Sequence, residues 1–263
     1  MRIIFNLFLL LIPIYSLGQD CSFTITSPFD SEVLIPGYTY NIKWDYSNNC
    51  PNYLKIDLYR NEEYVLTIAN KTENDSEFEW TVPLDIPFPS EIPNFDIFHN
   101  YKIIIKDENN LNVLGESSSF TIYRKKNISQ PFSIIPVAAN QRGANNSHWK
   151  TDFWIWNYYE YEDVGIYLFF YKEGRGEYEP PKGYYFLLKI GEVKVIEDIL
   201  ENCFKQEGTG SILIDQEYIN EVYFVLDSYV FLYNLIEGSK EDGTIIQSMG
   251  DFTDKYLNSK RGL

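Results

Sequence analysis

Apolar and polar residues alternate over short segments throughout the first half of the chain. Leu54, Ile56 and Leu58 are separated by polar side chains, and the same period of two recurs in other segments: 23–26, 33–35, 38–44, 64–68, 78–82, 101–105 and 118–123. Successive side chains of a strand point to opposite faces, so each segment is predicted to be a strand with one buried face. About seven such strands in roughly 100 residues predict a β-sandwich.

The second half also reads mainly as strands, at 149–157, 164–172, 184–190, 192–195, 211–214 and 221–233, with a polar loop at 140–147. One helix is predicted at 196–204, because Ile196, Ile199, Leu200 and Phe204 fall on one helical face.

Between the halves, residues 125–131 are polar and basic and end in Pro131, which is typical of a linker. The predicted fold is therefore all-β, with two immunoglobulin-like β-sandwich domains in tandem. They cover residues 20–124 and 132–263, and the second carries one short helix.

The first 18 residues have the pattern of a secretory signal peptide. Arg2 supplies a positive start, an apolar run follows to Tyr15, and Ser16 and Gly18 provide small residues for cleavage. A membrane anchor or a buried first strand would contain a similar run. No later segment is long and apolar enough to span a bilayer, and Asp20 disfavours lipid attachment at Cys21. Release into the periplasm or the medium, or residence in the cell envelope, is the expectation.

Charge and composition narrow the range of partners. The chain has a formal net charge of −16, and 17% of its residues are aromatic. A field of this sign repels phosphate backbones, which makes nucleic acid an unsuitable partner. Abundant Tyr and Phe suit strands and a packed core.

Three cysteines are present, at positions 21, 50 and 203. In an oxidising compartment a bridge between Cys21 and Cys50 is predicted, and closing a loop of about 30 residues stabilises a fold by roughly 3 kcal/mol. Cys203, next to Phe204, is expected to be a buried thiol. An intermolecular bridge or a nucleophile remains the alternative for this residue.

An ordered set of motifs covers most of residues 22–123: Ile25-Thr26-Ser27-Pro28, Pro36-Gly37-x-x-Tyr40-x-Ile42-x-Trp44, Ile56-x-Leu58-Tyr59, Thr67-Ile68-Ala69, Phe78-x-Trp80-Thr81-Val82-Pro83, Tyr101-x-Ile103-x-Ile105 and Ser118-x-Phe120-Thr121-Ile122. Together they resemble the Ser/Thr-rich GPI-anchored membrane protein family, which includes the N-terminal domain of yeast cell-wall glucan-synthesis proteins. The resemblance implies an immunoglobulin-like sandwich at the cell surface without catalytic residues.

A second set of motifs lies in the other half: Pro136-x-Ala138-Ala139, Gly143-Ala144-Asn145, Trp149-x-Thr151-Asp152, Asn157, Asp198-Ile199-Leu200 and Gly208-x-Gly210-Ser211-Ile212. It resembles a sandwich-like module of multidomain bacterial secreted proteins. This resemblance favours a bacterial source and implies no particular activity.

Catalytic and metal-binding patterns are weak. With only His99 and His148, one in each half, a zinc site with several imidazoles in one domain is excluded. A Ser-His-Asp triad would have to use His148 with Asp152, and no nucleophile elbow accompanies them. Acid pairs among residues 160–163 could in principle serve glycoside hydrolysis, but they are better explained as a solvated face. The acidic segment 107–110 could bind calcium, but it is better explained as a hairpin turn. The protein is therefore predicted to be no enzyme, with no metal and no cofactor.

An aromatic cluster between positions 149 and 161 is the most informative feature. Exposed aromatic side chains stack on sugars and anchor interfaces, although alternate members of such a cluster can instead fill a core. The candidate binding residues are Trp154, Trp156, Tyr158, Tyr159 and Tyr161. The leading hypothesis is a secreted adhesion or binding module for polysaccharide or a surface protein. An accessory carbohydrate-active enzyme and a structural spacer are the alternatives.

Overall fold

The computed structural model describes residues 21–86, 99–123, 133–144, 147–157, 163–216 and 226–236. The strands of the first half are β1 (Phe23–Ser27), β2 (Glu32–Leu34), β3 (Thr39–Tyr46), β4 (Tyr53–Arg60), β5 (Glu63–Glu73), β6 (Glu77–Thr81), β7 (Tyr101–Asp107), β8 (Val113–Glu116) and β9 (Thr121–Ile122). The second half contains β10 (Ser133–Arg142), β11 (Ser147–Asn157), β12 (Val164–Lys172), β13 (Lys182–Leu188), β14 (Val193–Ile196), α1 (Ile199–Phe204), β15 (Gly208–Gln216) and β16 (Leu226–Ile236).

The first sandwich consists of two sheets that enclose an apolar core. Strands β1-β3-β6 form one sheet and β5-β4-β7-β8 form the other. The predicted alternation holds in β3, where Ile42 and Trp44 are buried while Lys43 and Asp45 are exposed. Across the core, Ile56 belongs to a row of buried residues in β4 and β7. The alternating pattern thus separates the core side from the solvent side of each sheet.

A tight hairpin joins β4 to β5. Its two turn residues, Asn61 and Glu62, both have positive φ angles, of 45° and 66°. This is the geometry of a type I′ turn, whose twist matches that of the flanking strands.

The disulfide between Cys21 and Cys50 lies at one end of this sandwich, with the two Cα atoms 4.8 Å apart. It joins the residue before Ser22 to the loop between β3 and β4. Asn74 reinforces the same end, because its amide nitrogen donates a hydrogen bond to the Pro51 carbonyl at 3.0 Å.

The second sandwich is built around β11. One edge of β11 pairs with β10 over its first half and with β14 over its second half, and β16 runs along the other edge. The sheet continues from β10 through β15 and β12 to β13. Its core contains Phe153, Phe170 and Phe204.

Helix α1 begins three residues later than predicted. Ile196 belongs to β14, where it pairs with Phe153. Asp198 then adopts a left-handed backbone conformation, with φ of 43°, and its side chain accepts a hydrogen bond from the Glu201 amide. Asp at this position caps a helix, so α1 cannot extend back to residue 196.

The predicted loop at 140–147 is also shorter than expected. Strand β10 continues to Arg142, and residues 140–142 pair with 148–150 of β11. Polar side chains are compatible with a strand wherever one face of the sheet meets water.

The all-β prediction of two sandwiches with one short helix is confirmed. The predicted signal peptide and linker lie outside the described residues.

The helix in the described part of the chain has only six residues. In the part of the chain that the structure describes, no helix therefore has the length and apolar character needed to cross a membrane.

Candidate binding surface

The outer face of β11 presents two tryptophans at neighbouring outward positions. Phe153 and Ile155 point inward and are fully buried, whereas Trp154 and Trp156 are 41% and 42% exposed. Residues two apart on a strand share a face and lie about 6.8 Å apart. The sheet therefore holds the two indole side chains side by side on a rigid support.

Strand β14 extends this apolar area. Val195 pairs with Trp154 and Val193 pairs with Trp156 across the two strands. The valines are 50% and 58% exposed. These four residues are referred to below as the apolar strip.

Sequence reasoning identified the tryptophans of the strip but missed both valines. The alternation Val193-Lys194-Val195 carried the necessary signal, since it predicts two apolar residues on one face of a short strand. Their position beside Trp154 and Trp156 follows only from the pairing of β14 with β11.

The polar end of the same β11 face is occupied by paired groups. Lys150 forms an ion pair with Asp198 at the start of α1. The Asp152 carboxylate accepts a hydrogen bond from the Asp198 backbone amide at 2.8 Å. One lysine and two carboxylates therefore lie at this end of the face, and the lysine is paired with one of the carboxylates.

The remaining candidate binding residues, Tyr158, Tyr159 and Tyr161, lie outside the described part of the chain. They follow directly after Asn157, the last residue of β11. Their contribution to the strip stays a prediction.

The catalytic candidates are not brought together. His148 Nε2 lies 2.7 Å from Asn140 Oδ1. Asp152 is four residues further along the same strand, which separates the two backbones by roughly 13 Å. His99 instead stacks on Tyr185, with ring centroids 3.8 Å apart. The described residues therefore contain no His148–Asp152 pair.

The metal candidates behave as turn residues. Asp107 caps the turn between β7 and β8, where its carboxylate accepts the Asn109 amide hydrogen at 2.9 Å. Asp163 accepts a hydrogen bond from the Ile190 amide at 2.9 Å. Within the described ranges, no cluster of three His, Cys, Asp or Glu side chains is placed to hold a metal ion. Glu160 and Glu162 are outside these ranges.

Cys203 lies in the core, buried with Phe204 on the inner side of α1. Burial raises the pKa of its thiol to about 12, against the smaller lowering effects of Lys194 and Lys205. Because the thiolate is the reactive form, this side chain is expected to be inert in the folded protein.

Alkylation tests this expectation. At about pH 8, where an ordinary thiol of pKa ~8.5 reacts readily, iodoacetamide should leave Cys203 unmodified in the native protein and modify it fully in denaturant. Intact-mass spectrometry without reductant measures the added mass, and Cys203→Ser serves as the blank. Rapid modification of the native protein would contradict the assigned burial.

Comparison with known proteins gives little further information. No protein-family model and no curated protein matches the chain. Among solved structures it is similar to the fibronectin(III)-like modules of Clostridium thermocellum CbhA. The identity is 10%, the alignment covers 87% of this chain and 90% of that chain, and the TM-score is 0.24. At this TM-score, nothing about function is transferred to the present chain.

Proposed function

We propose that this protein is a secreted, non-catalytic module that binds a neutral polysaccharide on the apolar strip. The observation that carries the proposal is the exposure of Trp154 and Trp156 side by side on β11. The resemblance of residues 22–123 to a cell-surface family supports the extracellular setting.

The strip suits the faces of sugar rings. An indole ring offers a wide apolar surface and one polar N–H group, so it can stack on a ring whose edges remain hydrated. Two indoles on one strand can lie against successive rings of one chain. The strand keeps the indoles in place without the ordering cost that a loop would incur.

Charge favours a neutral polymer over an anionic one. The chain has a formal net charge of −16. A polyanion would be repelled by this field. Lys150, the lysine on the same face of β11 as the two tryptophans, is paired with Asp198 and is therefore less available to attract an acidic sugar.

Size favours a sugar chain over a folded protein partner. Four partly exposed side chains offer an apolar area of a few hundred Å², about that of the largest patch on a typical monomer. Stable protein–protein interfaces bury about 800 Å² on each partner. A strip of this size matches a few stacked sugar rings.

The test is a binding assay on Trp154→Ala, Trp156→Ala and the double variant. Truncating an aromatic anchor costs about 2 kcal/mol or more, so each single variant should lose affinity at least about tenfold and the double variant should not bind measurably. Pull-down on insoluble cellulose, chitin and β-1,3-glucan, together with affinity electrophoresis on soluble glucans, measures the loss.

Tyr178→Ala is the matched control, because Tyr178 is an exposed aromatic residue away from the strip. It should bind like the parent protein. Circular dichroism establishes that every variant is folded. If the parent protein binds none of these polymers but captures a cell-surface protein, or binds nothing, the polysaccharide proposal fails. Hydrolysis of a polymer by the parent protein would overturn the non-catalytic part.

A further inference from the structure

The outer face of the sheet β13-β12-β15 is apolar, unlike the usual solvent side of a sandwich. Tyr167 and Phe169 of β12 point away from the second core and are nevertheless buried. They form a separate cluster, called here the junction cluster: Val33, Ile35, Tyr123, Tyr167, Phe169, Tyr171, Tyr185 and Leu213. Three of its members, Val33, Ile35 and Tyr123, come from the first half of the chain, so segments of the first half cover part of this face.

Backbone pairing continues across the same boundary. Strand β2 pairs with β13, with Val33 opposite Gly183 and Glu32 opposite Tyr184. The Tyr185 amide also donates a hydrogen bond to the Ser31 carbonyl at 3.0 Å. The other edge of β2 pairs with β9. One sheet therefore runs through both halves. The pairing of β2 with β13 covers one edge of each strand, and an uncovered edge could pair with a strand of another chain.

Gly183 allows this close approach. A Cβ atom at this position would lie 2.6 Å from Val33 Cβ and 2.7 Å from the Val33 carbonyl oxygen, inside any normal contact distance. The φ angle of Gly183 is not positive, so the backbone conformation does not require glycine. The absence of a side chain here serves the contact between β2 and β13.

Polar contacts add to the packing. The Tyr123 hydroxyl donates a hydrogen bond to the Asp215 carboxylate. The His99 ring stacks on Tyr185 and its Nδ1 lies 3.0 Å from the Thr121 hydroxyl. The Tyr123–Asp215 hydrogen bond and the His99–Tyr185 stack both cross the boundary, and a hydrogen bond requires a defined distance and direction, so these two contacts favour one relative orientation of the two halves.

We infer that the apolar outer face of β13-β12-β15 is an interaction surface for strands β2 and β9 of the same chain and the residues next to them. This contact makes the two sandwiches one rigid, cooperative body. This inference is independent of what the apolar strip binds. Its consequence is that the first sandwich does not move freely at the end of a linker.

The test compares Gly183→Ala with Gly176→Ala in the full chain. A Cβ atom at Gly176 would be 4.0 Å from its nearest neighbour, so that variant adds the same methyl group without a clash. The parent protein and Gly176→Ala should each give a single unfolding transition by calorimetry and compact X-ray scattering in solution. Gly183→Ala should give two transitions, a larger radius of gyration and at least about tenfold faster proteolysis between residues 123 and 133.

Two results would overturn the inference. One is a parent protein with two separate transitions or the scattering of two loosely joined bodies. The other is a Gly183→Ala variant indistinguishable from the parent in all three measurements. Should Gly183→Ala not fold, Tyr123→Phe removes only the hydroxyl bonded to Asp215, and the parent measurements still decide the question. In that case, unchanged proteolysis in Tyr123→Phe takes the place of the second result and overturns the inference.

Discussion

Replacing Trp44 with Ala is expected to lower the free energy of unfolding by about 4 kcal/mol. Large aromatic residues replaced by Ala in cores typically cost about 3–5 kcal/mol, because apolar contact is lost and a cavity remains. Trp44 is 1% exposed and belongs to the core of the first sandwich. Total stabilities are about 5–15 kcal/mol, so this single change should remove a large part of the margin.

The tryptophan also has a polar role. Its Nε1 donates a hydrogen bond to Asn74 Oδ1 at 2.8 Å. The amide nitrogen of Asn74 in turn bonds the Pro51 carbonyl, next to the disulfide at Cys50. Trp44 thus links the core to the disulfide-bonded end of the sandwich.

Denaturant titration followed by circular dichroism measures the effect. Trp44→Phe keeps most of the ring but leaves Asn74 Oδ1 without this donor, so a loss of about 1–3 kcal/mol is expected. Trp154→Ala is the matched control, a Trp→Ala change at a partly exposed position, and should cost less than half as much as Trp44→Ala. Equal losses for Trp44→Ala and Trp154→Ala would contradict the assignment of Trp44 to the core.

Periodicity predicted the strands well where one face of a strand is buried and the other is in water. Lys43 and Asp45 alternate with Ile42 and Trp44, and this pattern needs no knowledge of partner strands. It failed for β8 (Val113–Glu116), which is short and does not alternate in burial. A four-residue strand with a glycine carries too few positions to establish a period of two.

The contact between the halves was not predicted, although one sequence signal was present. Residues 164–170 form a continuous apolar run, and all of them are buried. Such a run is typical of a strand that is covered on both faces. It indicates that something covers β12, but the covering segment, with Val33 and Tyr123, lies more than 40 residues away in the sequence. Pairing between distant edges is decided by tertiary packing.

The candidate site was predictable only in part, because local pattern does not reveal which segments pack against each other. The aromatic cluster indicated Trp154 and Trp156, and alternation along β11 places both on one face. Whether that face meets water or a second layer depends on the sheet order, which local pattern does not contain. Trp80 illustrates the ambiguity, since it also lies in an alternating strand and is buried.

Replacing Asp57 with Ala is the second change expected to have a large effect, a loss of about 2–4 kcal/mol of stability at neutral pH. The side chain of Asp57 is 1% exposed. Its carboxylate accepts hydrogen bonds from the Thr67 hydroxyl at 2.7 Å and from Lys106 Nζ at 2.9 Å, with Lys55 Nζ at 3.3 Å. Removing one partner of a buried charge cluster costs several kcal/mol, reduced here because both lysines still reach water.

The effect should depend on pH in a defined direction. Burial alone would raise the pKa of Asp57, but the hydrogen bonds from Thr67, Lys106 and Lys55 outweigh burial and hold the pKa below its usual range. The unfolded chain therefore takes up a proton at a pH at which the folded protein does not. The stabilisation is complete above the ordinary carboxyl pKa of about 4 and is lost as the pH falls through the lower, folded-state value.

Urea titrations of the parent protein and Asp57→Asn between about pH 7 and pH 2.5 measure this dependence. The difference in unfolding free energy between the two should be constant above about pH 5 and shrink below about pH 4, because a protonated Asp57 and an Asn are both neutral. Asp45→Asn, at an exposed position of β3, should show a difference below about 0.5 kcal/mol at every pH. A gap that persists unchanged to the lowest pH would mean that Asp57 stabilises the sheet through shape and packing, and that its charge contributes nothing.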